Sequence, residues 1–211
     1  MSKKNSITMF GSASVAAVPD RMNVSLAVEV RHEQAEGAYA LAADRAKELI
    51  AALESSAPGA KITTTGIGLR ARTAWRNDEN VLVGYEADTT LQLNHLRVEE
   101  VSPALAAAVA AGGDSLRINS VLAEVSDPSV AYAQARELAF ADARQKAVQL
   151  ADLAGCALGR VLRVEESVMA SGAPVVRAKA ADMVSASMPV VAGEQELSTN
   201  LEVCWELVDP A

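Results

Sequence analysis

Residue types that commonly do chemistry are scarce in this chain. Two histidines, His32 and His95, and two cysteines, Cys156 and Cys204, are spread over 211 residues. His32 stands where a strand pattern gives way to a helical one, and His95 just ahead of a second helical pattern. Neither has a cysteine or carboxylate at metal-ligand spacing, so both read as polar boundary residues. No serine carries the sequence context of a nucleophile elbow. Gly66-Ile67-Gly68-Leu69-Arg70 has the glycines of a phosphate loop, but lacks the Lys-Ser/Thr ending and a following helix; a bulged strand fits better. Side chains of the adjacent acids Glu99-Glu100 and Glu165-Glu166 diverge, which suits solvated charges. Cys204 shares strand parity with Glu202 and Glu206, and Cys156 follows a helix C-terminus. Both settings disfavour a thiolate, so two free, partly exposed thiols are expected. No catalytic, cofactor or metal-binding residue is assigned, and no enzymatic activity is expected. One binding constellation remains: Trp75 with Arg72 and Arg76 suits an anionic or planar ligand, in a pocket shared with the long segment 169–193.

The elements that would position these residues follow from periodicity. Residues 7–15 form a first strand. In the second, Met22, Val24, Leu26, Val28 and Val30 alternate with Arg21, Asn23, Ser25, Glu29 and Arg31, one face buried and one wet. Between about 33 and 54, Tyr39, Ala42, Ala46, Leu49, Ile50 and Leu53 recur at helical spacing. A third strand near 61–73 switches parity between Ile62 and Ile67, predicting a bulge at Gly66. A polar hairpin loop around Asn77-Asp78 leads to a fourth strand, where Val81, Val83, Tyr85, Ala87, Thr89, Leu91 and Leu93 alternate with Glu86, Asp88 and Gln92. A second helix covers about 97–111. A fifth strand, 117–125, is apolar on both parities and is expected at the centre of a sheet.

Residues 126–159 hold the best-delimited element, a long helix. Ala131, Ala135, Ala139, Ala143, Ala147 and Ala151 lie four apart; Ser126 or Asp127 and Pro128 mark its start, and Gly155 its end. Four residues overshoot a turn by about 40°, so the stripe is expected to wind off a flat sheet, with Leu138, Leu150 and Leu153 burying instead. Asp142, Arg144, Lys146 and Asp152 read as its wet face, and Arg136 as a surface or interface ion pair. A sixth strand (160–167), the segment 169–193 and a closing strand (196–208) complete the chain. The order ββαββαβαββ predicts one α+β domain spanning 1–211, a mostly antiparallel sheet with helices packed on one face. The segment 169–193 is expected as a long loop, ordered against a partner or disordered.

Half of the residues are apolar but only 3% are aromatic, because alanine supplies much of the total. The net charge of −8 argues against nucleic acid or an anionic membrane as the main partner. No apolar run reaches the ~18 residues that cross a bilayer. After Lys3-Lys4, the residues Thr8, Gly11, Ser12 and Ser14 interrupt what would be the core of an export signal. The expected location is cytoplasmic, with the periplasm or exterior as the alternative if a leader has been removed.

Taken together, these stretches resemble the SIMPL-domain family. The resemblance rests on ITMFGSASVAAVPD at the front and on Gly84-Tyr85-Glu86-Ala87. It continues through Ala135-Arg136 with the alanine ladder, Leu150-Ala151, Gly155 and Leu158-Gly159-Arg160-Val161. It closes on AGEQELSTNLEVCWEL. Ala13 replaces the second glycine of the first strand, and the export signal of many members is missing. The resemblance implies a bacterial envelope or stress protein linked to protection from oxidative damage and, as in some members, assembly into homo-oligomers; no catalytic residues are established for the family to carry over. The alternatives are a small-molecule-binding or enzymatic domain with its pocket at Trp75, and an adaptor that binds a protein by edge-strand addition.

Overall fold

In the computed structural model, residues 5–167 and 193–210 are described. The strands are β1 (Ser6–Ala17), β2 (Arg21–His32), β3 (Lys61–Arg76), β4 (Glu79–Leu96), β5 (Leu116–Glu124), β6 (Ala157–Ser167) and β7 (Gln195–Val208). The helices are α1 (Ala35–Ser56), α2 (Val98–Gly112) and α3 (Ser129–Leu153), and a short 3-10 turn (Gly113–Ser115) follows α2. The chain is α+β in the expected order, with that turn inserted. The strands do not share one sheet: β1-β7-β6 form one antiparallel sheet and β3-β4-β2-β5 another. Alternation reveals a strand's faces but not its partner. Thus β1 and β2, adjacent in sequence, enter different sheets, and β1 pairs with the C-terminal β7 from Ser6–Glu206 to Ala17–Gln195.

The chain divides into two compact units. Among the described residues, the first comprises 5–18, 127–167 and 193–210, and the second 19–126. In the first unit α3 lies on one face of β1-β7-β6. Ala135, Ala139, Ala143, Ala147 and Ala151 are all fully buried, while Leu138, Leu150 and Leu153 are exposed. The winding expectation is therefore reversed. A ridge of residues four apart runs obliquely to the helix axis, and a twisted sheet turns beneath it, so the stripe stays on the sheet. The contact is close: a Cβ on Gly11 would stand 1.9 Å from the Ala139 carbonyl oxygen. Leu201, Val203 and Trp205 of β7 supply the bulk opposite the alanines, with Phe140 against Trp205 at a ring separation of 6.0 Å.

Asp142 and Lys146 are not simply the wet face of α3. Ser12 N–H donates to Asp142 Oδ2 (3.0 Å) and Lys146 Nζ donates to the Phe10 carbonyl (3.2 Å), so this pair satisfies the open edge of β1. At the start of α3, Asp127 Oδ1 accepts the Ser129 N–H, whereas Ser126 bonds to Asp20. At its end Gly155 has φ +70, and the Cys156 and Gly155 N–H groups donate to the Ala151 and Asp152 carbonyls. These two bonds make a Schellman motif.

The second unit packs α1 and α2 on its four-stranded sheet. Its core joins Val24, Leu26 and Val28 of β2 with Leu91 and Leu93 of β4, Leu49 and Leu53 of α1, and Val101 of α2. Tyr39, expected on the buried face of α1, is exposed; Ala38 and Ala42 fill that face instead. The bulge near Gly66 is present, with Thr65 as the extra residue of β3. Among the described residues the fifth strand is an edge, paired to β2 alone. A bulge at Asn119 shifts its core-facing parity from that of Leu116 to that of Val121 and Ala123, while Ile118 and Leu122 are exposed, which is why both parities look apolar.

Candidate functional site

The hairpin loop expected around Asn77-Asp78 shrinks to those two residues. Both have positive φ (49° and 62°), as a two-residue primed turn requires, and the strands pair up to Arg76–Glu79. The polar segment 71–80 is thus mostly strand. Because β2 reaches β4 only as far as the His32–Tyr85 pair, β3 and β4 continue beyond the sheet as a two-stranded ribbon. Trp75 is on this ribbon and 71% exposed, with Leu82, Val81 and Val83 exposed nearby. Successive strand residues alternate faces, which puts Trp75 on the face opposite Arg72 and Arg76. The expected Trp-Arg constellation is not assembled, and residues 169–192 of the segment expected to complete its pocket lie outside the described residues.

Arg72 instead belongs to a charged ladder on the sheet face away from the helices. Arg31, Glu86 and Arg70 are directly opposed across β2, β4 and β3, as are Glu29, Asp88 and Gly68. Arg31 Nε donates to Glu86 Oε2 at 2.8 Å, Arg70 Nη2 to Glu86 Oε1, and Arg72 Nε stands 3.6 Å from Glu86 Oε2. Arg70 also reaches Asp88 at 2.9 Å, and Arg31 and Arg117 bracket Glu29 at 3.3 and 3.5 Å. Glu86, expected on the wet parity, is only 6% exposed. The hydrogen bond from Arg31 is the main cause holding its pKa below the usual carboxylate value, against the opposing effect of burial. The same bond raises Arg31, and Glu86 likewise raises Arg70. Sequence parity placed these charges on one face but could not show that three guanidiniums cover one carboxylate.

Hollows flank the ladder. A cleft of about 570 Å³ involves Arg31, Arg45, Asp114 and Arg117, and two of its guanidiniums are committed to protein acceptors: Arg117 to the Asp114 and Leu116 carbonyls, Arg45 to Glu48. A smaller one, about 230 Å³, lies at Gly84 and is lined by Arg31, His32 and Arg72. His32 Nδ1 engages the backbone of Gln34, and its ring fills the space over Gly37, where a Cβ would come within 2.3 Å. His95 has φ +66 and donates its N–H to Asn23. Both histidines are boundary residues, as expected.

The remaining residues resolve into pairs. Arg136 Nε binds both oxygens of Glu166 (2.9 and 3.1 Å), and Thr199 donates to Glu166 Oε1. Glu100 is not a free solvated charge: it accepts the Arg97 N–H and pairs with its guanidinium, capping α2. The thiols of Cys156 and Cys204 are free and half-buried. Cys204 opposes Arg163, while Glu202 and Glu206 are held by Arg163 and Arg160. Among the described residues no group of three or more His, Cys, Asp or Glu has metal-binding geometry, and no helix is long and apolar enough to cross a membrane.

The "26 kDa periplasmic immunogenic protein" of Brucella melitensis is 26% identical over 95% of this chain and 84% of its own length. The "Uncharacterized protein YggE" of Escherichia coli is 28% identical over 86% of this chain and 74% of its own. A hydantoinase/carbamoylase family amidase from Burkholderia ambifaria is 19% identical over 55% of this chain and 28% of its own, at a TM-score of 0.27, too weak a likeness to bear on fold or activity. The family model described as "SIMPL: Protein of unknown function (DUF541)" matches residues 7–205. With the glycine-bearing first strand, the Gly84-Tyr85-Glu86-Ala87 ladder segment and the alanine-faced α3 all inside that match, the chain belongs to the SIMPL family.

Proposed function

We propose that this SIMPL protein is non-enzymatic, assembles with copies of itself, and serves an envelope-related, stress-protective role. The observation that carries the reading is the β3–β4 ribbon. A two-stranded ribbon is marginally stable alone, and this one displays Trp75, Leu82, Val81 and Val83 to solvent. Such side chains gain about 25 cal/mol for each Å² of apolar surface that a partner covers. A second copy offers the same apolar ribbon and the same net charge of −8, so contact is favoured through the ribbon rather than through the acidic surface. A relative named as periplasmic supports the periplasm over the cytoplasm as the location. Light scattering on the purified chain tests assembly, with a native mass that is a whole multiple of the chain mass as the expected result. A monomer at micromolar concentration would contradict it. The stress role predicts that cells lacking the protein survive peroxide less well than their parent.

A further inference from the structure

The hollow at Gly84 is formed by backbone as much as by side chains. Gly84 has φ +136, and a Cβ there would stand 2.8 Å from the His32 carbonyl oxygen, so no larger residue fits in its place. Val83 is the extra residue of a bulge between the Arg72–Gly84 and Thr73–Leu82 pairs, where the ribbon leaves the sheet. Behind the two nearest guanidiniums stands Glu86: Arg31 Nε donates to it at 2.8 Å, and Arg72 Nε lies in ion-pair contact at 3.6 Å, beyond hydrogen-bond reach. Arg31 gives one terminal nitrogen to Glu29. The two terminal nitrogens of Arg72 have no acceptor among the described residues. A guanidinium drawn to a carboxylate on its Nε side keeps its outer nitrogens turned away and available for a bidentate oxyanion. Glu33 is the one acid in the lining and opposes such a ligand.

We propose that this hollow is an oxyanion site, taking the carboxylate or phosphate group of a small soluble molecule on the terminal nitrogens of Arg72 and on the one that Arg31 does not give to Glu29, Nη1. A volume of about 230 Å³ suits a small metabolite rather than a polymer segment. The test is a titration of the full chain with inorganic phosphate, and separately with acetate, following the Gly84 backbone amide by NMR. Saturable shifts are expected. Arg72→Gln, a substitution of a partly exposed side chain, should weaken binding about tenfold or more, since it removes a charge-assisted fork. Glu33→Gln should tighten it by about threefold through loss of a like charge. Absence of a saturable shift, or an Arg72→Gln variant that keeps its amide spectrum and titrates like the parent, would overturn the assignment. So would binding to phosphatidylglycerol vesicles without any response to free phosphate.

Discussion

Glu86 lies on the polar parity of β4, yet only 6% of it reaches solvent. Its neighbours explain this: Arg31, Arg70 and Arg72 bring their guanidiniums over its carboxylate. Glu86→Gln would leave three guanidiniums around a neutral amide and should cost about 2 kcal/mol in urea denaturation, less than a fully buried pair because the arginines are exposed. The pH dependence has a definite sign. A carboxylate whose folded-state pKa lies below its ordinary value stabilises the fold above that value and loses the contribution as pH falls through the folded-state pKa. Glu86, Asp20, Glu100, Asp127, Asp142 and Glu166 all shift this way, from ordinary values of 4.5 for Glu and 3.8 for Asp. The melting temperature should therefore hold steady from neutrality down to about pH 5 and fall below it. In Glu86→Gln the acid-side fall should be shallower, and an unchanged slope would remove Glu86 from the account. At this scale the sequence was informative about parity and silent about partners: Arg31, Arg70 and Glu86 are 16 to 55 residues apart, and only pairing of β2, β4 and β3 unites them.

Element boundaries were the most legible feature, because Gly155, the Asn77-Asp78 turn and the periodicity switches each have a local cause. Element partners were not. The leucines of α3 looked like its buried face by size, but the fit of methyl groups to the Gly11 strand decided the packing. Gly11→Ala would drive a Cβ into the backbone of α3 at Ala139 and Ala143, and should cost about 3 kcal/mol or prevent folding of the first unit. Ala143→Leu should do comparable damage, since Ala143 is fully buried against β1 and β7. Leu153→Ser, at a position 76% exposed, should change stability by less than about 0.5 kcal/mol. Chemical denaturation of the three variants orders them, and a Leu153→Ser variant weaker than Ala143→Leu would restore the leucines as the buried face. The ribbon was partly legible as well. Asn77-Asp78 was identified as the turn, but polar composition hid the fact that the residues before it are paired strand, and strand pairing is what separates Trp75 from Arg72.

For the whole molecule, family membership and the α+β class were legible because the glycine strand, the ladder segment, the alanine stripe and the closing strand follow one another along the chain. The division into two sheets was not, since nothing local in β1 announces that its partner is β7. Self-assembly through the β3–β4 ribbon is the central claim about function at this scale. It rests on apolar side chains that the chain's own sheet leaves exposed, so it predicts a specific sensitivity. Trp75→Ser combined with Leu82→Ser removes the largest of those side chains from ribbon positions that the protein's own core does not use. The direct measurement is native mass by light scattering of the parent and this double variant at equal concentration. The parent should be larger than one chain and the variant reduced to the monomer with its melting temperature retained; equal masses for the two would contradict self-assembly through the ribbon.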